Sequence, residues 1–323
     1  MRISVHRFIC LLFLGILILM LVSACNTATD TSITSHKQPV EDCKIVQHMM
    51  GKTCIPRNSQ RIVALWMGTF RSTLALGIKP IATVWSPSDP LPKHLQSNLN
   101  DAESVTILDW QPSLEKILLL KPDLILSNTR FQNIYKQLSY IAPTVVLNQP
   151  RPPLPWQKHL EDVAKILDKK QENKQLVNNY WHRIEYLKQA LGDQRHQMQI
   201  SVVTVSPPYG IFTYGEKHPT GKVLNDLGLQ RPAAQRGDFF TRSNISQEHL
   251  SEIDGDVIFI SYGEGEAAKE ALHKLQQEPL WRKLKAVQQN RVYLVDSDHW
   301  YAFDILAMNA VLDDLEKYLV NTP

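Results

Sequence analysis

Arginine and aromatic side chains recur where predicted strands end, on the loops that open α/β sheets use for ligands. Guanidinium groups grip carboxylate or hydroxamate oxygens in pairs, and ring faces cover the remainder of a flat ligand. Any one of them is more often a packed ring or a solvated charge, but as a group they predict a site for a flat, anionic, partly apolar ligand. The candidate contacts are Trp66, Arg71, Arg130, Phe131, Phe240, Arg242, Trp300 and Tyr301.

Two glutamates occupy matching positions in the two halves of the chain. Each follows a serine by two residues, as Ser113 with Glu115 and Ser246 with Glu248, and each precedes a buried apolar run. Serine is a good N-cap, and an anion in the first turn stabilises a helix by about 0.3–1 kcal/mol. Two interpretations remain open: both glutamates only stabilise helix ends, or they are acidic docking points for a matched pair of basic sites.

Other motifs argue against catalysis. Residues 215–223 resemble a phosphate-binding loop, but five residues separate the glycines where four are needed, and Val223 replaces the Ser or Thr that would hold magnesium. The sequence has no G-x-S-x-G elbow. Residues 296–299, Asp-Ser-Asp-His, could hold a metal, although such loops are more often turns. We therefore expect neither an enzyme active site nor a protein metal site.

Short apolar strands alternate with helices, which predicts mainly parallel sheets covered by helices. The pattern occurs twice and predicts two α/β lobes. Between them, residues 157–167 and 171–191 have helical periodicity, and the second stretch would be about 30 Å long. We expect this helix to connect the lobes stiffly. The predicted strands are 61–65, 80–84, 105–108, 124–126 and 145–147, then 200–205, 210–213, 257–260 and 291–295.

The amino terminus has the features of an export signal. Arg2 and Arg7 precede the apolar run 8–22, and residues 22–25, Val-Ser-Ala-Cys, resemble the lipobox of bacterial lipoproteins. Cys25 would then carry lipid, and the polar stretch after it would be a flexible tether. The alternative is a plain signal peptide with an incidental cysteine. The net charge of +3 over 323 residues gives no argument for nucleic acid.

Two further cysteines remain in the exported chain. Cys43 and Cys54 most simply form a disulfide in an oxidising compartment. A metal pair with His48 is the rival interpretation, although structural zinc normally takes four protein ligands.

From about His48 to its carboxyl end, the chain resembles the periplasmic binding proteins of iron-siderophore ABC importers, a class that includes cobalamin- and haem-binding proteins. The order and spacing of several short motifs carry the resemblance. They are Arg61-Ile62-Val63-Ala64-Leu65, Ala75-Leu76-Gly77-Ile78-Lys79-Pro80, Pro112-Ser113-Leu114-Glu115-Lys116-Ile117, Lys121-Pro122-Asp123-Leu124-Ile125, Ile141-Ala142-Pro143-Thr144, Ile245-Ser246-Gln247-Glu248 and Pro279-Leu280-Trp281.

The resemblance implies two Rossmann-like lobes joined by a single long α-helix, as in class III periplasmic binding proteins of the helical-backbone metal receptor type. It implies a ligand between the lobes and a permease whose arginines engage Glu115 and Glu248, which favours the docking interpretation. Phe131, Phe240, Arg242 and Tyr301 lie where hydroxamate-siderophore binders place contacts. Asp109 lies near the position where those binders have an arginine for the iron-hydroxamate centre. Arg71, Arg130 and Arg242 could supply this charge from elsewhere, which favours a citrate-based or mixed citrate-hydroxamate siderophore.

The expected protein is a monomeric, lipid-anchored receptor without cofactor, on the periplasmic face of the inner membrane, or outside the cell membrane if there is one membrane. Alternatives are a cobalamin or haem receptor, with Tyr301, His299 and Tyr214 as candidate haem ligands, a free metal-ion receptor, or an extracytoplasmic α/β enzyme. The predicted divisions are a signal peptide 1–24, a tether 25–42, an amino lobe 43–155, a helical linker 156–192 and a carboxy lobe 193–323.

Overall fold

The computed structural model describes residues 43–85, 95, 106–207, 210–243, 245–263 and 265–321. The predicted signal peptide, Cys25 and the tether lie outside this range. Within it, no helix combines the length and the apolar character that crossing a membrane requires.

The described chain begins with an antiparallel hairpin of β1 (Cys43–His48) and β2 (Gly51–Pro56). Cys43 and Cys54 are joined by a disulfide across it, with their Cα atoms 5.6 Å apart. Gly51 turns the chain at a φ of +125°, a conformation that favours glycine. The hairpin packs on the amino lobe, where the Thr53 hydroxyl donates to the carbonyl oxygen of Thr144 at 3.1 Å.

The amino lobe contains a five-stranded sheet in which all neighbouring strands are parallel. Its central strands are buried on both faces, as parallel strands covered by helices must be. In spatial order the strands are β5 (Thr106–Leu108), β4 (Ala82–Val84), β3 (Ile62–Ala64), β6 (Leu124–Asn128) and β7 (Thr144–Leu147).

The carboxy lobe has a mixed sheet, which differs from a strict repeat of the first. Among its strands, β8 (Ile200–Ser206), β11 (Val257–Tyr262) and β12 (Val292–Asp296) are parallel, while β9 (Gly210–Tyr214) runs antiparallel to β8, and β10 (Thr241–Arg242) antiparallel to β9. The chain reverses at once after β8, and a parallel crossover needs a dozen or more residues. In spatial order the strands are β10, β9, β8, β11 and β12.

Helices cover both sheets. They are α1 (Met67–Ala75), α2 (Leu114–Leu119), α3 (Tyr135–Ile141), α4 (Trp156–Ile166), α5 (Lys170–Leu191), α6 (Pro219–Leu227), α7 (Glu266–Gln277), α8 (Lys285–Gln288), α9 (Ser297–Trp300) and α10 (Ile305–Leu315). 3₁₀ turns span Thr129–Ile134, Gly192–His196, Ala233–Gln235, Gln247–Ile253 and Trp281–Lys283, and a π-turn, Glu316–Val320, follows α10.

The long helix α5 connects the lobes, which confirms the predicted architecture. Its buried face carries Tyr180, Ile184, Leu187 and Leu191 at helical spacing. One continuous apolar core includes this face together with strands of both sheets. Packing is therefore shared between the lobes and the linker.

The two serine-x-glutamate stretches fold differently. Ser113 caps α2, because its hydroxyl accepts from the backbone NH of Lys116 at 3.3 Å. The second stretch was expected to form a capped helix, but it forms the 3₁₀ turn Gln247–Ile253, and the Ser246 hydroxyl does not cap it. That hydroxyl lies 2.8 Å from Nδ1 of His249, which competes for it, and His249 leaves helical φ/ψ.

Candidate functional site

The carboxyl ends of the parallel strands in the amino lobe carry aromatic rings and the exposed cation Arg130. Trp66 and Trp85 lie just after β3 and β4, Trp110 after β5 and Arg130 after β6. Parallel strands of one sheet end on the same side, so these residues share one edge of the lobe. This is the edge at which α/β proteins bind ligands.

Arg130 is held among aromatic rings at this edge. Its guanidinium carbon lies 5.9 Å from the centre of the Trp110 ring and 5.8 Å from that of Phe131. The side-chain oxygen of Asn128 accepts from the Arg130 backbone NH at 2.9 Å, which fixes the turn after β6. Phe131 is buried, so its ring supports Arg130 and does not offer a face of its own to a ligand.

Trp110, which lies next to Arg130, is also close to Trp85. Trp110 is 47% exposed, and its ring centre lies 6.3 Å from that of Trp85. Trp85 is half-buried. An exposed guanidinium beside such rings can pair with the oxygens of an anionic ligand while the rings cover its apolar parts. We call Trp85, Trp110 and Arg130 the amino-lobe platform.

A cluster of aromatic rings lies on the carboxy-lobe side of the cleft. Tyr301 is 45% exposed, and its ring centre lies 5.5 Å from Phe303 and 5.6 Å from His218. Phe240 stacks on Phe303 at 5.7 Å and is half-buried. Of the predicted contacts in this lobe, Tyr301 and Phe240 therefore lie together.

Beneath these rings the side chains are buried and polar. Tyr214 stacks on His218 with ring centres 3.9 Å apart, and the Tyr214 hydroxyl is hydrogen-bonded to the hydroxyl of Thr204 at 2.5 Å. Burial raises the pKa of the Tyr214 phenol above its usual range. Burial, aided by the nearby Arg231 guanidinium, holds the pKa of His218 well below its usual value. Both groups are therefore neutral at physiological pH.

A cavity of about 170 Å³ lies between the lobes. Ligand sites for drug-sized molecules usually measure about 300–1,000 Å³, so a larger ligand must also use the surface around its mouth. The cavity is lined by Trp66, Met67, Gly68, Arg71 and Trp85 from the amino lobe and by Ser297, Asp298, Tyr301, Ala302, Phe303 and Asp304 from the carboxy lobe. The cavity thus brings together three of the predicted contacts, Trp66, Arg71 and Tyr301.

Trp66 is fixed in place at this cavity. Its ring lies over Gly68, where an added Cβ would come within 2.7 Å of the indole. The ring also meets His159 edge-on, with centres 4.8 Å apart. Any larger residue at position 68 would displace Trp66 from the cavity wall.

Arg71 does not offer its charge to a ligand, contrary to the prediction. It is only 4% exposed, and its Nη1 lies 3.1 Å from Oδ2 of Asp304 and 3.4 Å from the carbonyl oxygen of Asp298. Asp304 also caps α10, because its Oδ1 accepts from the NH of Ala307 at 3.0 Å. The guanidinium is therefore a buried contact between the lobes, and its charge is compensated.

Arg242 lies on the edge strand β10 and is exposed. Its guanidinium lies 3.2 Å from the carboxylate of Glu252, in the 3₁₀ turn that carries Glu248. This ion pair is open to solvent, so a ligand could compete for Arg242. The structure does not place it among the residues that line the cavity described above.

The prediction that Trp300 contacts a ligand is wrong for this structure. Its side chain is fully buried, stacked on Phe259 at 4.9 Å, and its indole NH donates to Oδ2 of Asp314 at 2.7 Å. Trp300 is part of the carboxy-lobe core. Its neighbour Tyr301 follows the last residue of α9 and points to the cleft, because successive residues around a helical turn face different directions.

Two of the three candidate haem ligands are engaged elsewhere. His299 is buried, with Nε2 2.7 Å from Oδ2 of Asp314, and Tyr214 is buried as described above. Residues 297–299 belong to the short helix α9, which Asp296 caps, because its carboxylate accepts from the NH of Asp298 at 2.8 Å. Over the residues that the structure describes, no three His, Cys, Asp or Glu side chains are grouped to hold a metal.

A larger cavity of about 680 Å³ lies beside the disulfide hairpin. It is lined by residues 44–49 of the hairpin, residues 145–148 and residues around the junction of α4 and α5. Among the described residues, none of the carboxy lobe lines this cavity. We therefore take the smaller cavity, which both lobes line, as the centre of the candidate site.

Glu115 and Glu248 are both exposed, one on each lobe. Among the ion pairs within the described ranges, neither carboxylate takes part. Each glutamate is therefore available to a partner, although the α-helix and the 3₁₀ turn present them differently.

Sequence reasoning missed Trp85, Trp110 and Asp304 as parts of this site. Trp85 and Trp110 carry the same signal as the residues that it selected, because both directly follow predicted strands. Asp304 has no such signal, since its role depends on a contact with Arg71, which is 233 residues away.

Comparison with known proteins gives a consistent result. A family model described as periplasmic binding protein matches residues 62–299. The chain is 34% identical to the probable siderophore-binding lipoprotein YfiY of Bacillus subtilis, over 98% of this chain and 99% of that one. It is 29% identical to the Fe(3+)-citrate-binding protein YfmC of the same organism, over 94% of each chain.

Among solved structures, the fold is similar to that of Staphylococcus aureus SirA complexed with staphyloferrin B. The TM-score is 0.70 with 26% sequence identity, and the similarity covers 85% of this chain and 98% of that one.

Proposed function

Because this chain belongs to the periplasmic binding protein family, we propose that it captures a ferric siderophore and delivers it to an ABC permease for iron uptake. The observation that carries the proposal is the amino-lobe platform, where the exposed Arg130 guanidinium lies among rings at the ligand-binding edge of the sheet. The family consists of substrate-binding proteins, so the chain is a receptor and not an enzyme.

A citrate-based or citrate-hydroxamate siderophore fits the charges best. Such ligands present carboxylate oxygens, which guanidinium groups bind in pairs. Arg130 and Arg242 are exposed cations, whereas Arg71 is compensated by Asp304. The curated relative YfmC is named for ferric citrate, and YfiY for siderophore binding, which supports this ligand class.

The cargo brings its own iron ligands, so the receptor has to recognise only the outside of the complex. Rings and guanidinium groups suit that task, because they read shape and charge without displacing a ligand from the metal. Tyr301 and Phe240 on the carboxy lobe would cover the face opposite the amino-lobe platform, and Trp66 would close the inner end.

We further propose that Glu115 and Glu248 dock the receptor on the permease. Their exposure on two lobes supports contact with two basic sites at once. The proposed receptor acts as a monomer held at the outer side of a membrane by lipid on Cys25, and the relatives that are named lipoproteins support this anchorage. In this arrangement a signal peptide (1–24) and a tether (25–42) precede the amino lobe (43–155), the helical linker (156–192) and the carboxy lobe (193–323).

The test of the proposed function is mass spectrometry of small molecules that co-purify with the protein from iron-starved cells. We expect an iron complex with carboxylate or mixed carboxylate and hydroxamate groups, in about equal molar amount to the protein. Haem, cobalamin or a bare metal ion in its place would contradict the proposal.

A further inference from the structure

The two glutamate-bearing stretches align without a gap over eleven residues, 113–123 and 246–256. Ser, Glu and Asp recur at the first, third and last positions. The fifth position, Ile117 in one stretch and Leu250 in the other, is fully buried in both. The two stretches are therefore in the same register, and their neighbouring positions can be compared directly.

The sixth and seventh positions are apolar in one stretch and polar in the other. In the amino lobe they are Leu118 and Leu119, which are 57% and 72% exposed. On α2 they lie three and four residues after Glu115, and side chains with this spacing share one helix face. Glu115 therefore lies beside two leucines that are open to solvent.

The carboxy lobe has polar residues at the same two positions. Ser251 is exposed, and Glu252 is ion-paired with Arg242 at 3.2 Å. Glu248 thus lies among polar groups, whereas Glu115 lies beside an apolar surface. The two docking carboxylates are matched, but their surroundings are not.

We propose that Leu118 and Leu119 form an apolar contact with the permease on the amino-lobe side alone, next to the basic group that Glu115 engages. The partner surface on the permease would carry a cation bordered by apolar side chains. The exposed carboxylate of Glu115 complements the cation, and the two leucines on the same helix face complement the apolar side chains. This inference rests on the proposed function, because it assumes docking through the two glutamates.

The experiment uses the full lipoprotein in cells that carry the permease but lack the native copy. The variant Leu118→Ser with Leu119→Glu gives the amino lobe the residues of the carboxy lobe. We expect uptake of ⁵⁵Fe, supplied as ferric citrate and as a ferric trihydroxamate, to fall about tenfold, as expected when apolar surface on this scale is lost from an interface. Affinity for the ferric siderophore, measured on the purified protein, should stay unchanged.

Two control variants separate a docking effect from a general surface effect. Ser251→Ala changes the corresponding position of the carboxy lobe, and Ile45→Ser removes an aliphatic side chain of similar exposure from the hairpin. Neither should alter uptake. A thermal unfolding curve like that of the wild type would show that the leucine variant is folded.

The charge-reversed protein, Glu115→Arg with Glu248→Arg, distinguishes the two levels of the argument. If it loses uptake while the leucine variant retains it, the apolar contact is wrong and docking through the glutamates stands. If both variants transport iron normally, docking on this face is wrong, and the inference fails with it. Wild-type protein that supports uptake of neither iron source would contradict the proposed function itself.

Discussion

Three arginines of the candidate site show how strongly the surroundings decide the role of one residue type. Arg71 is buried and paired with Asp304, Arg242 is exposed and paired with Glu252, and Arg130 is exposed among rings. The sequence alone predicts all three as ligand contacts. Only Arg130 combines exposure with aromatic neighbours at the ligand-binding edge.

We predict that Arg130→Ala weakens binding of a ferric citrate-type siderophore at least tenfold. A charge-assisted contact to a carboxylate contributes about 1.5–3 kcal/mol, and tenfold corresponds to about 1.4 kcal/mol. Isothermal titration calorimetry measures the change. Arg195→Ala is the control, because that guanidinium donates to backbone carbonyls at the carboxyl end of α5, those of Lys188 and Gly192. Equal affinities of wild type and Arg130→Ala would remove Arg130 from the site.

We predict that the buried imidazole of His159 makes the free energy of unfolding depend on pH. It is buried beside Trp66, its Nε2 lies 3.2 Å from the hydroxyl of Thr69, and burial lowers its pKa to about 4. The unfolded chain, with a pKa near 6.5, takes up the proton first as pH falls. Stability is therefore full above about pH 6.5 and decreases as pH falls toward 4, by at most about 1.4 kcal/mol per pH unit from this group.

Urea unfolding at pH 7 and pH 5 tests this dependence. In His159→Gln the loss of unfolding free energy between these two pH values should be smaller than in the wild type. An unchanged loss would assign the dependence to other groups, of which His218, also buried with a lowered pKa, is the first to examine.

Residue types at strand ends predicted part of the site, and the reasons for the failures are physical. Tyr301 and Trp300 are adjacent and look alike in sequence, but one faces the cleft and the other fills the core. Which of two neighbouring rings is exposed depends on how the following helix packs. The partner of Arg71 lies in the other lobe, so no local pattern reveals it.

At the scale of elements, hydrophobic periodicity located most helices and strands because each buries one face or both. It could not give the direction of β9, which depends on the short connection after β8. It also could not distinguish α2 from the 3₁₀ turn Gln247–Ile253, since both stretches have a serine, a glutamate and a buried apolar residue at the same spacing.

We predict that the two matched serines differ in their contribution to stability. Ser113→Ala removes a helix cap and should cost about 1 kcal/mol, the usual value for an N-cap serine. Ser246→Ala removes only an exposed bond to His249 and should cost less than about 0.5 kcal/mol. Urea unfolding of the two variants gives both values, and equal costs would contradict the difference in capping.

At the scale of the whole molecule, the lobes are coupled by a shared core and by a buried ion pair. The core passes through α5, and the Arg71–Asp304 pair joins α1 to the start of α10. These contacts limit how far the lobes can separate. A receptor of this kind should change shape little between its empty and loaded states.

Breaking the buried pair tests this coupling. Arg71→Met leaves the Asp304 carboxylate buried without its cation, and loss of one partner of a buried pair typically costs about 3–5 kcal/mol. Arg183→Met is the matched control, because its pairs with Asp313 and Glu316 are partly exposed and should contribute about 1 kcal/mol or less. The quantity compared is the free energy of unfolding in urea.

Arg71→Met also distinguishes the structural role of Arg71 from the ligand contact that sequence alone predicted. The folded variant should bind the ferric siderophore with wild-type affinity. A tenfold loss of affinity with little loss of stability would restore Arg71 to the ligand site.

The most direct test of the receptor mechanism is a fluorescence titration of the purified wild-type protein with ferric and iron-free siderophores of citrate and hydroxamate types. Trp66, Trp85 and Trp110 lie at the cleft, so a bound ferric complex should quench their emission. We expect saturable quenching at about micromolar concentration or below with a ferric citrate-type complex. Absence of saturable quenching by every ferric siderophore in the panel would contradict the account.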